Sequence, residues 1–337
     1  MKEALLYKKL KDRQVQCRNC GHYCVVSPGN RGLCGVRENI NGKFYSLVYG
    51  KLAVYHIDPI EKKPLYHFLP GTLSLSVATV GCSFNCANCQ NYDISQSPKP
   101  NRPIQGQELS PEKLVDMAIK NNLPSISYTY TEPTVFLEYA LDIMKLAKKK
   151  RIKNVWISNG FMSEKSTAAI IPYLDAANID LKGFSDEFYA KNCGGGLQPV
   201  LRTLKQMKKA GVWVEVTTLA IPIISDSVEM FSGIAKFIKR DLGPETPWHI
   251  SRFSGNISWK LNDIPDTPIE TIERAYRLGK REGLKYVYSG NVPDIPSEDT
   301  FCPECAALAI SRANYSIHRY DKNGKCAKCG VSLNIIE

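Results

Sequence analysis

Seven short apolar runs, at 73–80, 125–130, 154–158, 177–181, 212–219, 248–253 and 285–288, alternate with longer segments of helical period. No other feature of the chain constrains its fold so strongly. Strands separated by helices run parallel, because the crossover returns the chain to the same end of the sheet. Six or seven such units within about 220 residues exceed the four or five strands of a doubly wound sheet and argue for a barrel or partial barrel. The intervening helices carry their own signals. Ser110 stands ready to cap 111–122, with Pro111 at the first helical position. Along 134–150, Val135, Tyr139, Ile143, Leu146 and Ala147 form one stripe, and the lysines that follow suit a helix C-terminus. Further helices fit 163–173, 197–210, 227–240 and 268–282, the last halted by Gly283. The expected fold class is therefore α/β, a partial (β/α) TIM-type barrel over 71–291. A cysteine-rich region over 1–70 and a metal-binding tail over 292–337 flank it.

In such a barrel the chemistry gathers at the C-terminal ends of the strands. The first strand runs into Gly81-Cys82-Ser83-Phe84-Asn85-Cys86-Ala87-Asn88-Cys89. This Cys-x3-Cys-x2-Cys spacing supplies three thiolates to a four-iron cluster that needs four ligands, so one iron stays open. An open position marks a catalytic metal centre rather than a structural one. A zinc knuckle with a distant fourth ligand is the bland alternative, although zinc sites favour paired Cys-x2-Cys knuckles. Later strands end in Thr131-Glu132-Pro133-Thr134, Ser158-Asn159-Gly160-Phe161, Asp180-Leu181-Lys182-Gly183, Thr217-Thr218, His249-Ile250-Ser251-Arg252 and Ser289-Gly290-Asn291. Taken singly, Glu132 reads equally well as a helix-start carboxylate, and Asp180 with Lys182 as an ion pair. Their recurrence in order at successive strand ends argues for one shared site.

Of the 12 cysteines, eight more lie in two close-spaced groups. In a chain of 337 residues with a charged start and no run of 18 apolar residues, the expectation is a cytoplasmic protein whose cysteines bind metal. Cys302, Cys305, Cys326 and Cys329 form two Cys-x2-Cys knuckles in zinc-ribbon arrangement, and zinc is the expected metal because four thiolates close the site. Cys17, Cys20, Cys24 and Cys34, with His22 as a competing ligand, suit either zinc or an auxiliary iron-sulfur cluster. Cys193, before Gly194-Gly195-Gly196, is either a small buried residue or a catalytic, substrate-facing thiol. The net charge of +11 favours acidic partners, yet the lysine runs lie on polar helix faces and interleave no aromatics, so nucleic acid is not expected.

The cysteine loop resembles that of the radical SAM superfamily. The resemblance implies a 4Fe-4S cluster on Cys82, Cys86 and Cys89, with S-adenosylmethionine bound to the open iron. One electron, from a donor such as ferredoxin or flavodoxin, would cleave the cofactor to a 5'-deoxyadenosyl radical that takes hydrogen from an unidentified substrate. The strand-end set is similar to that of the activating enzymes of glycyl radical enzymes, such as pyruvate formate-lyase activase. Tyr130-Thr131-Glu132-Pro133 stands for their Gly-Gly-Glu-Pro, Ser158-Asn159-Gly160-Phe161 for their Thr-Asn-Gly-Phe, and Asp180-Leu181-Lys182 for their Asp-Leu-Lys. The resemblance thus implies cofactor contacts from Glu132, Ser158, Asn159, Asp180 and Lys182, and from His249 near the ribose. Asn88 departs from the usual aromatic, and Ile157 from an aspartate that serves a monovalent cation. Over its whole length the chain looks like the AmmeMemoRadiSam system radical SAM enzymes, on Cys17-Arg18-Asn19-Cys20, Arg31-Gly32-Leu33-Cys34-Gly35-Val36-Arg37, Pro247-Trp248-His249-Ile250-Ser251-Arg252-Phe253 and Lys285-Tyr286-Val287-Tyr288-Ser289-Gly290-Asn291. That name implies Memo-family and AMMECR-family proteins as partners and supplies no substrate. Two competing readings are activation of a glycyl radical enzyme and a zinc-rich nucleic-acid-binding protein.

Overall fold

The computed structural model describes residues 1–98, 103–292, 298–313 and 315–337. The alternation resolves into one eight-stranded sheet: β1 (Val54–Pro59), β2 (Leu73–Ala78), β3 (Ser125–Tyr128), β4 (Lys153–Ser158), β5 (Ala176–Asp180), β6 (Trp213–Ala220), β7 (Trp248–Arg252) and β8 (Val287–Gly290). Their spatial order follows the chain from β1 to β8. β2 through β8 are parallel, and β1 alone is antiparallel, pairing Val54 with Ala78 and Pro59 with Leu73. All seven expected strands are present. β1 is additional and lies within the segment read as N-terminal region. Its proline is tolerated because an edge strand need not donate on both sides.

The helices between the strands are α1 (Pro111–Lys120), α2 (Leu137–Lys149), α3 (Glu164–Ile170), α4 (Leu197–Lys209), α5 (Val228–Phe237) and α6 (Ile269–Glu282). Ser110, Ser163 and Ser227 each accept a backbone N–H at the starts of α1, α3 and α5. Gly283 ends α6 at φ +95°, a conformation that costs glycine nothing. β3 is buried along its whole length, as expected of a strand covered on both faces. Trp156 and Trp248 are fully buried at the core, each contributing roughly 2–3 kcal/mol through burial.

A polar plug lies near the N-terminal ends of the strands. The Glu215 carboxylate accepts from Tyr66 N (3.0 Å), His67 N (2.9 Å), Trp213 Nε1 (3.0 Å) and His249 Nε2 (2.6 Å). The far end of the chain joins it, with Ile336 N donating to His67 O at 2.8 Å and His67 Nδ1 lying 3.0 Å from Leu333 O. The opposite, C-terminal end of the sheet carries the cysteine loop.

Residues before β1 form two small three-stranded sheets, one made of Lys2–Glu3, Lys43–Ser46 and Arg37–Ile40, the other of Tyr7–Lys9, Val15–Cys17 and Val25–Val26. Arg37 locks this region to α2 through a bidentate pair with Glu138 (3.0 and 2.6 Å), both side chains being buried. After β8, Thr300–Phe301, Leu308–Ala313 and Ser316–Arg319 make a third antiparallel sheet. Among the described residues no helix is long and apolar enough to cross a membrane.

Candidate active site

The loop from Gly81 to Asn91 leaves the C-terminal end of β2. Gly81 takes φ +101°, and a Cβ there would fall 2.7 Å from Val36 and 3.1 Å from the Cys34 carbonyl, so the N-terminal region packs directly on the loop's first residue. Cys86 is buried; Cys82 and Cys89 are half-buried. Donors are aimed at the sulfurs: Phe84 N lies 3.4 Å and Asn159 Nδ2 3.8 Å from Cys82 Sγ, and Cys89 Sγ is 3.4 Å from Ser95 Oγ. Three soft sulfur ligands on one loop, with N–H groups facing them, are the donor chemistry that an iron-sulfur cluster requires. Burial, followed by the neighbouring Glu132 carboxylate, pushes the free Cys82 thiol well up, so ligation at neutral pH depends on metal displacing its proton.

The next two strand ends converge on this loop. Glu132, 1% exposed, accepts Ser158 Oγ at 2.8 Å and Thr134 N at 3.0 Å on one oxygen and Asn159 N at 2.9 Å on the other. Burial raises its pKa against the pull of those hydrogen bonds. It therefore also fills the helix-start role, capping the turn Pro133–Phe136. Asn159 closes the set, its amide donating to Ser83 Oγ (3.1 Å) while its oxygen accepts Phe161 N (2.9 Å). Gly160 turns there at φ +70°, with Ile179 so close that a Cβ would meet it at 2.7 Å.

From β5, Lys182 Nζ donates to Asp180 Oδ2 at 2.7 Å. Burial opposes the lysine's charge, but Asp180 and the thiols of Cys86 and Cys193 outweigh it and raise its pKa well above the ordinary value. Cys193 is fully buried, and its thiol pairs with that of Cys86, which lowers the pKa of Cys86 and raises its own. Asn85 N donates to Cys193 O and Ala87 N to Asn192 O, both at 3.0 Å. Cys193 thus faces the loop and no open surface. His249 is not brought to this set: it is the second residue of β7, 3% exposed, and belongs to the polar plug. A groove of about 480 Å³, lined by Tyr55, His56, Val80, Asp93, Ile94 and Gln105, flanks the loop on the β1 side.

The outer cysteines differ from one another. Cys302, Cys305, Cys326 and Cys329 place all four sulfurs within 4.8 Å of one another, with Cys302–Cys329 at 3.5 Å and Cys305–Cys326 at 3.6 Å. Cys17, Cys20, Cys24 and Cys34 line one small cavity together with Asn19, His22, Arg37 and Ser83. Residue patterning did not single out Asn19, Arg37 or Ser83 as site residues, since nothing in their spacing announces their burial.

The sequence matches the radical SAM superfamily over residues 76–238. An uncharacterized protein of Methanocaldococcus jannaschii is 48% identical over 339 residues, covering 100% of both chains. The pyruvate formate-lyase-activating enzyme of Clostridium pasteurianum is 25% identical over 198 residues, 55% of this chain and 80% of that enzyme. A radical SAM methyltransferase from Sphaerobacter thermophilus superposes with a TM-score of 0.50 at 14% identity, over 68% of this chain and 70% of that one, a likeness of fold alone.

Proposed function

Because the chain belongs to the radical SAM superfamily, we propose that it cleaves S-adenosylmethionine reductively at a 4Fe-4S cluster held by Cys82, Cys86 and Cys89, in a partial barrel whose parallel strands follow chain order. The observation that carries this reading is the convergence of Glu132, Ser158 and Asn159 on a three-thiol loop at the same end of the sheet. When bound, the cluster and cofactor supply one-electron cleavage of the sulfonium and a carbon radical able to abstract hydrogen.

The chain's own residues hold and shield. Glu132, fixed by Ser158 and the Asn159 amide, offers negative charge where a cofactor ammonium binds. Asn159 steadies the loop through Ser83 and Cys82. Lys182 keeps a positive charge beside Cys86, balancing thiolate. Phe84 and Phe161, with ring centroids 5.0 Å apart, close the loop's inner side to water. The C-terminal set fits a single zinc ion holding the tail. Ferredoxin or flavodoxin suits the electron supply, and the whole-chain resemblance points to Memo-family and AMMECR-family partners.

The match to an enzyme named for activating pyruvate formate-lyase favours, as a second reading, a glycyl radical protein as the substrate. It predicts a stable glycyl radical signal on a target protein. The first reading is tested by electron paramagnetic resonance of the reduced, iron-loaded protein. S-adenosylmethionine should change the cluster signal, and Glu132→Gln should raise the concentration needed by about tenfold or more. A cluster signal indifferent to the cofactor contradicts the reading.

A further inference from the structure

Four cysteines from the N-terminal region meet at one cavity that the reaction proposed above does not use. Cys17 ends a short strand, Cys20 and Cys24 lie on the turn that follows, and Cys34 comes from the next loop. Cys17 and Cys20 are buried, and Cys24 and Cys34 half-buried.

The spacing of these sulfurs carries information. A single tetrahedral ion with metal–sulfur bonds near 2.3 Å holds its thiolates about 3.8 Å apart. The C-terminal set is drawn that tightly. Among the described residues it is the only group of three or more His, Cys, Asp or Glu ligand atoms lying mutually within 4.8 Å. The N-terminal four line one cavity, yet among the described residues no three of them close to that distance; a four-iron cluster, whose thiolates stand farther apart than those of one ion, accepts that spread.

A second observation is independent of the thiols. Arg37, 1% exposed, lines the same cavity; both of its terminal nitrogens bind Glu138, and its Nε–H has no acceptor. A buried donor without a partner costs about 1–3 kcal/mol. A thiolate or bridging sulfide of a cluster would satisfy it and place a cation beside a negatively charged group. Asn19 Oδ1 is also unpartnered there, and a cluster does not account for it.

From these observations we infer that Cys17, Cys20, Cys24 and Cys34 bind an iron-sulfur cluster of the four-iron, four-sulfide class, separate from the one on Cys82, Cys86 and Cys89. Four cysteines leave no open iron, so its chemistry is electron transfer. Ser83 lines its cavity and is the residue after Cys82, and His22 Nε2 lies 2.7 Å from Ser83 O. One residue therefore separates the two sites, placing the N-terminal cluster to pass electrons inward; this last step alone rests on the function proposed above.

The test is metal and acid-labile sulfide content after anaerobic loading with iron, sulfide and zinc. A chain with Cys82→Ala, Cys86→Ala and Cys89→Ala should keep about four iron and four sulfide, against about eight of each in the wild type. Adding Cys24→Ala and Cys34→Ala should remove the remaining sulfide while leaving about one zinc in the C-terminal site, which also reports that the tail is folded. Two zinc and no sulfide in the triple variant would overturn the inference, as would sulfide that survives the two further substitutions. Failure of the radical reading looks different: the wild type and the triple variant would then hold equal iron.

Discussion

Alanine at Gly195 should disable the cysteine loop without touching a thiol. An ideal Cβ at this position falls 2.3 Å from Phe84 Cε1 and 3.1 Å from Cδ1 and Cζ. Normal carbon contacts begin near 3.5 Å, so the overlap exceeds about 1 Å. The ring cannot swing clear, since Phe84 is 3% exposed and wedged between Phe161 and Tyr189 at centroid distances of 5.0 and 6.0 Å. Overpacking of this kind costs about 1–3 kcal/mol. Phe84 lies between Cys82 and Cys86, so most of that cost falls on the loop's ligand-ready shape, weakening its hold on the cluster by about 5- to 150-fold. Gly196 provides the control. Its Cβ would make ordinary contacts, 3.5 Å to Asp186 and 4.0 Å to Phe161, and the cost of replacing glycine at the N-cap of α4 falls on that helix and not on the loop. The assay is cluster retention under a chelator, followed by visible absorption, with thermal midpoints recorded in parallel. Gly195→Ala should lose the cluster faster than wild type, and Gly196→Ala should not. Equal retention in all three chains would refute the argument that the glycine run exists to seat the loop.

Arg37→Met leaves Glu138 buried without its cation and should cost about 3–5 kcal/mol, read as a fall in the denaturation midpoint; pairing it with Glu138→Met should recover much of the loss. Burial holds His67 down to about 4 from an ordinary 6.5, against a partial offset from Glu215. The unfolded chain therefore binds the proton first as pH falls, so this stability is complete above about 6.5 and is lost towards pH 4, by about 3 kcal/mol in all. His67→Gln should flatten that part of the stability profile, and an unchanged profile would contradict the assignment. Cys193→Ala removes the thiol paired with Cys86, so the cluster's reduction potential should fall while iron content stays near wild type. An unmoved potential would mean that the Cys193 thiol does not reach the ligand.

Much of this architecture was legible in the residues because two requirements are strict. Parallel strands covered on both faces need near-continuous apolar runs, and an iron-sulfur loop needs thiols at fixed spacing; both patterns stand out between Leu73 and Asn291. β1 escaped because three of its six residues are exposed, as suits an antiparallel edge, and it ends in proline. His249 was read as a strand-end residue, but β7 begins only one residue earlier, and depth along a strand, not membership in it, decides which end a side chain serves. Arg37 shows the other gap. A guanidinium at 1% exposure has the same one-letter signature as one in solvent, and only the distant Glu138 explains where it lies.

The measurement that bears most directly on the central claim is anaerobic 5'-deoxyadenosine production from S-adenosylmethionine by the reconstituted, reduced protein, set against the chain with Cys82, Cys86 and Cys89 replaced by alanine. The account predicts product from the wild type and none from the triple variant. Equal product from both chains, or none from a wild type that holds its full iron, would contradict it.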